Sequence, residues 1–368
     1  SEESGRSGER PSRSTVPPVT DRADSPRRST AGATGRWDPM ASAGQLTERR
    51  IRLRYPDDFD PMWTPGTPEF ACAANAVSLM MPVIEPYFVR TGAAAATELD
   101  EPLRTGTETY LAQERAHHGQ HRRFNRRLLA RYPRLAPVER LLVRAYQALE
   151  RRASPRFNLA VVAVSETMAY SAARWAARRR RELFDRADPV AATLFLWHLA
   201  EEVEHKASAH EVHRAVDGGR PRFRLRMLGA MVVALVLVMA FVGMGTTVML
   251  WAERRLHHPL AWLRLTRWSI GFAFELLTNL ATTLVPGHHP DDFADPLWYE
   301  VWLRTFDADD DTIPVWSATT ADLNPRPDRP TGSRCPPPTP SPTPTSSPPP
   351  QPSQAAEPSP SPAEPATG

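Results

Sequence analysis

The feature that most constrains this chain is a spacing that occurs twice, in Glu114-Arg115-Ala116-His117 and in Glu202-Val203-Glu204-His205. On a helix, positions three apart share a face, so each quartet presents one carboxylate and one imidazole to the same point. A single pair of this kind is common on solvated helices. Two pairs, on two long helical stretches, leave few folds that satisfy both. Two further acids lie in apolar runs. Glu85 follows Pro82-Val83-Ile84, and Glu166 follows Val161-Val162-Ala163-Val164-Ser165. A carboxylate is costly to bury unpaired, so each of these demands a partner. In chain order the four segments read Glu, Glu-x-x-His, Glu, Glu-x-x-His.

Dinuclear carboxylate bundles use that inventory: one Glu from each of two helices and Glu-x-x-His from each of the other two. Apolar periodicity predicts the four helices, from about Pro68 to Arg90, Leu103 to Arg131, Glu139 or Ser154 to Phe184, and Pro189 to Val216. Pro82 and Pro86 should kink the first, Pro155 should break the third, and Gly218-Gly219 should stop the fourth. The expected fold is all-α: a ferritin-like four-helix bundle over residues 51–220, followed by one or two long apolar helices within residues 221–323. Residues 1–50 are rich in Ser, Arg, Pro and Gly, and residues 324–368 form a Pro/Ser/Thr/Ala tract. Both bury too little apolar surface to offset the entropy of ordering, so both should be disordered. The second should act as a semi-extended polyproline spacer or docking ligand.

The chemistry follows from the residue types. Carboxylates neutralise and bridge two cations, while neutral imidazoles suit iron, manganese or zinc. The expected metal ligands are Glu85, Glu114, His117, Glu166, Glu202 and His205, holding two divalent metal ions, iron first and manganese or zinc as alternatives. Without metal, the same residues would crowd at least four carboxylates with few cations to offset their repulsion. At about 100° per residue, His198, Glu201, Glu202 and His205 share one broad face, whereas Glu204 points away. His198, one turn before Glu202, is either a further metal ligand or a hydrogen-bond partner of one. His121, His118 and Glu201 are expected to support ligands rather than to bind metal. Tyr110 and Tyr170, each one turn from a ligand Glu, read as core packing. His288-His289-Pro290-Asp291-Asp292 reads as a turn in which Asp caps the next helix. No residue is assigned a catalytic role.

Met227 to Ala252 contains no charged residue over 26 positions. That length crosses a hydrocarbon core of about 30 Å at about 1.5 Å per residue. Arg220, Arg222, Arg224 and Arg226 precede it, which by the positive-inside tendency places the bundle on the cytoplasmic side. A weaker apolar stretch, Trp268 to Pro286, contains Glu275 and Asn279, and returns as a hairpin arm or lies in the interface. The alternative is a buried helix of a soluble protein. Net charge is only +3 and the arginines are scattered, which argues against nucleic acid as a partner. Lys206 is the only lysine, a coding bias without functional weight. Cys72 in a predicted helix and Cys335 in the tail are not expected to pair, which fits a reducing compartment. The polar start carries no secretory signal and favours a cytoplasmic bundle attached to or inserted in the cell membrane. The expected partners are a membrane and a small, hydrophobic substrate; a homodimer is left open.

Glu69 to Phe88, Gln113-Glu114-Arg115-Ala116-His117, His121 with Asn125, and above all Trp197-His198-Leu199-Ala200-Glu201-Glu202-Val203-Glu204-His205-Lys206 resemble a bacterial family of predicted metal-dependent hydrolases. His289-Pro290-Asp291-Asp292 resembles that family's late His-Pro motif. The resemblance covers residues 50 to 305. The string from Trp197 to Lys206 is its specific part, while the long ends and Pro86 after Glu85 depart from it. This resemblance implies hydrolysis. The ligand order is also similar to that of the di-iron N-oxygenases of aminoarene biosynthesis, whose extra histidine precedes the last Glu-x-x-His by one turn, as His198 does. That resemblance implies oxygen chemistry at iron. A different class is a membrane-attached interaction protein with a structural bundle and a Pro-rich docking tail. Haem between facing histidines would leave the carboxylates without a role. Iron storage needs a closed shell of subunits, which the apolar helix and two long tails oppose.

Overall fold

The computed structural model describes residues 46–49, 51–184, 186–218, 222–285 and 288–305. The expected disorder of 1–45 and of 324–368, with Cys335, Gly219, Arg220 and Pro286, lies outside the described residues. The chain forms α1 (Pro68–Ala96), α2 (Leu103–Arg131), a 3-10 turn (Pro133–Leu135), α3 (Ala136–Arg152), α4 (Pro155–Arg178), α5 (Arg180–Phe184), α6 (Pro189–His205), α7 (Ser208–Asp217), α8 (Phe223–Ala252), α9 (Pro259–Thr283), a second 3-10 turn (Pro290–Asp292) and α10 (Leu297–Thr305). The described residues contain no strand, and the protein is all-α.

Prolines mark where these helices begin. Pro155 opens α4 behind Ser154, whose Oγ accepts the Phe157 N–H at 3.2 Å. The break expected at Pro155 is therefore a fresh start with its own cap. Pro189 opens α6 behind Asp188, whose Oδ1 accepts the Val190 and Ala191 N–H groups at 2.9 and 3.0 Å. In contrast, α1 runs through Pro82 and Pro86 as one helix and ends six residues later than expected, at Ala96. The fourth predicted helix is two, α6 and α7, separated at Lys206 and Ala207. Lys206 leaves the helix to bond the Phe293 carbonyl at 3.2 Å and the Asp295 carboxylate at 2.5 Å.

Helix α4 is central, with α1, α6, α7, α8 and α9 packed around it. Every residue from Asn158 to Met168 is buried, which is why its sequence shows a continuous apolar run instead of a stripe. Burying valines such as Val161, Val162 and Val164 contributes about 1.5–3 kcal/mol each. Helix α2 packs on α1, α6 and α7, and α3 packs on α1.

The two late helices belong to the same body. Helix α8 lays Met227, Ala230, Ala234, Phe241, Gly245 and Met249 along α1 and α4. At Gly245 a Cβ would fall 2.9 Å from the Cβ of Ala76, so glycine permits the close approach to α1. Helix α9 turns its polar residues inward. Glu275 pairs with Arg174 at 3.0 Å and Arg178 at 2.5 Å, and Asn279 donates to Ser171 Oγ at 2.9 Å. Helices α1 and α8 are both long and apolar enough to cross a membrane. The most apolar window of α1 is 61% buried in protein, and that of α8 only 22%.

Residues 46–49, expected in the N-terminal tail, are instead part of a strap lying along α2. Gln113, Gln120 and Arg127 donate to the carbonyls of Thr47, Ile51 and Tyr55 at 3.0, 2.6 and 2.9 Å. Seven residues of helix rise about 10.5 Å and four of extended chain about 13 Å, so the two periods nearly match. The strap is held by the bundle through the carbonyls of Thr47, Ile51 and Tyr55 and through buried Arg49, which pairs with Glu201 and Glu204.

Candidate metal centre

Four helices contribute side chains to one buried point. Helix α1 brings Glu85, α2 brings Glu114 and His117, α4 brings Glu166, and α6 brings His198, Glu202 and His205. Donor atoms of Glu114, His117, Glu202 and His205 all lie within 4.8 Å of one another, and so do those of Glu85, His117 and His198. His117 belongs to both groups. Glu166 joins through His205, whose Nδ1 is 3.7 Å from Glu166 Oε2. All seven residues are buried, none more than 8% exposed.

Each histidine is held by its outward nitrogen. His117 Nε2 meets Glu201 Oε2 at 2.8 Å, and Glu201 also accepts from Trp197 Nε1 at 2.9 Å and Arg49 Nη1 at 3.2 Å. Ionised Glu201 can only accept there, and opposite it the proton of neutral His117 sits on Nε2. Gln113 donates through Nε2 to the Thr47 carbonyl and to Glu204 Oε2, both at 3.0 Å, which fixes its amide. Its Oε1 then accepts the His205 Nε2–H at 3.0 Å.

A longer chain sets His198. Asn125 Nδ2 donates to the Ser78 carbonyl at 2.7 Å, so its Oδ1 accepts the Ser78 hydroxyl at 2.8 Å. Ser78 Oγ then accepts His121 Nδ1–H at 2.8 Å, and His121 Nε2 accepts His198 Nδ1–H at 2.7 Å.

The consequence is that three imidazoles turn their other nitrogen inward onto carboxylates. His117 Nδ1 is 3.8 Å from both Glu114 Oε1 and Glu202 Oε1. His205 Nδ1 is 2.9 Å from Glu114 Oε1, and His198 Nε2 is 2.7 Å from Glu202 Oε1 and 3.5 Å from Glu85 Oε1. Both oxygens of Glu85, Glu166 Oε2 and the inward nitrogen of His117 have no hydrogen-bond partner, while His205 Nδ1 is within bonding distance of Glu114 Oε1. Buried polar atoms without partners cost about 1–3 kcal/mol each, more when charged. An inward lone pair on His117 among buried carboxylate oxygens without donors is what a cation would satisfy, so these residues fit a metal.

The electrostatics agree. Burial, then the charges of Glu114, Glu202 and Glu166, pushes Glu85 well above the usual carboxylate range. Burial, then Glu202 and Glu114, does the same to Glu166. Burial lifts Glu202 to about 7, and lifts Glu201 to about 8 despite Arg49. Burial drives His117 and His121 well below the usual imidazole range, and His198 to about 4. Burial opposes a charge on His205 too, but its bond to Glu114 and the charges of Glu202, Glu114 and Glu166 prevail and raise it to about 10. With no metal, Glu85 and Glu166 hold protons where a cation would neutralise them.

The remaining expected residues fall around this point. Glu201 and His121 stand behind His117 and His198. His118 does not reach the centre; it is half-buried, its Nδ1 3.2 Å from the Glu114 carbonyl. Glu204 faces away, towards Arg49, Gln113 and Tyr299. Tyr110, read as core packing, donates its hydroxyl to Glu166 Oε1 at 2.7 Å and so touches the site. Tyr170 bonds the Ala294 carbonyl and stacks on Phe293, away from it. Sequence reasoning missed Arg49 and Ser78. The first lies in a stretch whose composition matches a tail, and the second is one serine among apolar neighbours.

A second group, Glu211, His289 and Asp291, also has donor atoms within 4.8 Å. There the His289 side chain caps the 3-10 turn, Nδ1 accepting the Asp291 N–H at 3.3 Å, and Asp292 accepts the His289 N–H at 2.9 Å. The late His-Pro-Asp segment is thus a capped turn, with the histidine capping as well as the aspartate.

The fold and the site define an all-α, metal-binding helical bundle. The chain belongs to the family of predicted metal-dependent hydrolases, whose model matches residues 47–293. The match begins within the strap, at the residue whose carbonyl receives Gln113, and ends at Phe293. No curated protein and no solved structure matches the chain.

Proposed function

We propose that this chain is a dinuclear metalloenzyme whose two divalent ions are held by Glu85, Glu114, His117, Glu166, His198, Glu202 and His205. The observation that carries this reading is the convergence of four buried glutamates and three buried histidines in which both oxygens of Glu85, Glu166 Oε2 and His117 Nδ1 lack hydrogen-bond partners. Bound there, two ions would supply Lewis acidity and, if iron, the electrons for oxygen activation. Glu114, within 4 Å of two histidine nitrogens, and Glu202, within 4 Å of three, would help hold the ions. Glu201, Gln113 and His121 hold the three rings in one orientation. Tyr110 orients Glu166 and can hold or pass a proton at Glu166 Oε1.

Four helix-borne glutamates, three histidines and no aspartate favour iron and oxidative chemistry. The family's name favours the second reading, hydrolysis of an ester, amide or phosphoryl group. The substrate is small and hydrophobic, in keeping with the apolar helices packed beside Glu85 and Glu166. Protein purified anaerobically, compared with Glu114→Ala/Glu202→Ala, tests the centre. About two iron or manganese ions per chain, lost in the variant, support the oxidative reading, and about two zinc ions support hydrolysis. Equal metal content in both proteins, or none in either, overturns the proposal.

A further inference from the structure

We propose that the outer faces of α8 and α9 attach the protein to an anionic lipid surface in the plane of one leaflet, with the bundle lying along the membrane rather than hanging from a spanning helix. The buried stripe of α8 runs from Met227 to Leu250, nearly the whole helix, against α1 and α4. A bilayer crossing by α8 would draw those helices in beside it. Helix α1 also packs on α2, which exposes Arg122, Arg123 and Arg126. Arginine in hydrocarbon costs several kcal/mol, so the bundle side of α8 belongs in water.

The opposite side is mostly apolar, and on α9 the exposed Arg267 between Leu263 and Ile270 is paired with Glu182. Leu228, Val232, Val236 and Met239 on α8 are 44–60% exposed, and Leu263, Ile270, Phe274 and Leu277 on α9 are 56–76% exposed. Their spacing of three, four or seven residues puts each set on one helical face. Apolar surface of this extent is rare on a soluble monomer and marks a binding face. Its fringe carries exposed cations, Arg222 and Arg224 at the start of α8, and Arg254 in the connection to α9. Exposed Trp251 and Trp262 stand at that same connection. Apolar residues bordered by arginine and tryptophan match the acyl boundary, with anionic headgroups as the counter-charge. Because both ends of α8 are cationic, a second copy packed antiparallel on this face would oppose like charges.

The full-length, metal-loaded chain should co-sediment with vesicles containing phosphatidylglycerol more than with phosphatidylcholine alone, and release as salt rises. Val236→Glu/Phe274→Glu should cut partitioning about tenfold or more while keeping metal content, which reports an intact bundle. A fluorophore on Leu228→Cys, Val236→Cys or Thr247→Cys, in a Cys335→Ser background, should be quenched to one shallow depth by spin-labelled lipids. Greater depth at Val236 than at both other positions means a span and overturns the proposal. So does a chain that ignores vesicles, or a dimer that Val236→Glu dissociates. A chain that binds vesicles but no metal would leave this proposal standing and remove the metalloenzyme reading.

Discussion

Two clusters in this molecule bring together the same kinds of donor, and they differ in where the protons are. In the bundle, Gln113, Glu201 and the Asn125–Ser78–His121 chain each take up the outward N–H of a histidine. The inward nitrogens of His117, His198 and His205 are left to face glutamates. At the second cluster the backbone N–H of Asp291 occupies His289 Nδ1. Burial also keeps His289 below the usual imidazole range, hence neutral. Its proton therefore lies on Nε2, which is 3.5 Å from Glu211 Oε1 without a hydrogen bond between them. A donor facing a carboxylate needs no metal, and His205, raised to about 10 beside Glu114, is one such donor; the inward lone pairs of His117 and His198 are the ones a cation would satisfy. Proximity of donors is common to both clusters, and the tautomer separates them.

The sharpest way to break this comparison is to count metal. Glu114→Ala should remove most bound metal, since the residue approaches two of the histidines, whereas Glu211→Ala should leave the metal content unchanged. Elemental analysis of the two purified variants decides it. Metal loss from the Glu211 variant would show that proximity alone had been the better guide.

The next largest effect is on stability. Metal that binds only the folded chain stabilises it by about 4 kcal/mol at a thousandfold excess over Kd. For a domain of this size that corresponds to about 10 °C in Tm. Stripping metal from the wild-type chain should lower Tm by that order, and re-adding it should restore the loss. The same cycle on Glu114→Ala should give a far smaller shift. Calorimetry that found equal shifts in both would place the stabilising metal elsewhere.

A smaller effect tests the relay behind His198. In Ser78→Ala, His121 loses the acceptor for its Nδ1–H and is free to carry the proton on Nε2. It then donates to His198 Nδ1, which moves the His198 proton inward to where metal would bind. Metal affinity should fall about 10–100-fold, with a change in the ligand-field spectrum of the cobalt-substituted protein. Ser171→Ala is the control, because Ser171 is equally buried yet bonds only Asn279 and the Thr167 carbonyl. Equal losses in the two variants would reduce the relay to packing.

What the sequence made legible was the spacing that helical geometry turns directly into proximity. Glu114 with His117, and Glu202 with His205, fall on common faces whatever the tertiary structure, and the apolar runs around Glu85 and Glu166 mark burial. The orientation of each ring was not legible, because it depends on partners far along the chain. Arg49 reaches Glu201 across 152 positions, and Ser78 reaches Asn125 across 47. Helix ends were obscured for a similar reason. The α6–α7 break at Lys206 is bound to Phe293 and Asp295, which no local pattern announces. The two-sided apolar character of α8 was legible as a long charge-free run, but that run does not say which side meets protein.

The smallest effect is at the second cluster itself. If His289 is a cap and not a ligand, His289→Ala should cost about 1 kcal/mol, the usual price of a lost helix cap, and leave metal content at the wild-type level. His289→Asn offers a side-chain oxygen to the same Asp291 N–H and should recover most of that loss, since asparagine is among the best capping residues. A metal ligand would behave in the opposite way, because an amide oxygen replaces a cap far better than it replaces an imidazole at a transition metal. Denaturant unfolding of the three proteins, run with and without added metal, separates the cases. Recovery by asparagine that is independent of metal marks a proton-satisfied turn. A deficit that appears only with metal present would make this cluster a second ion site and erase the contrast with the bundle.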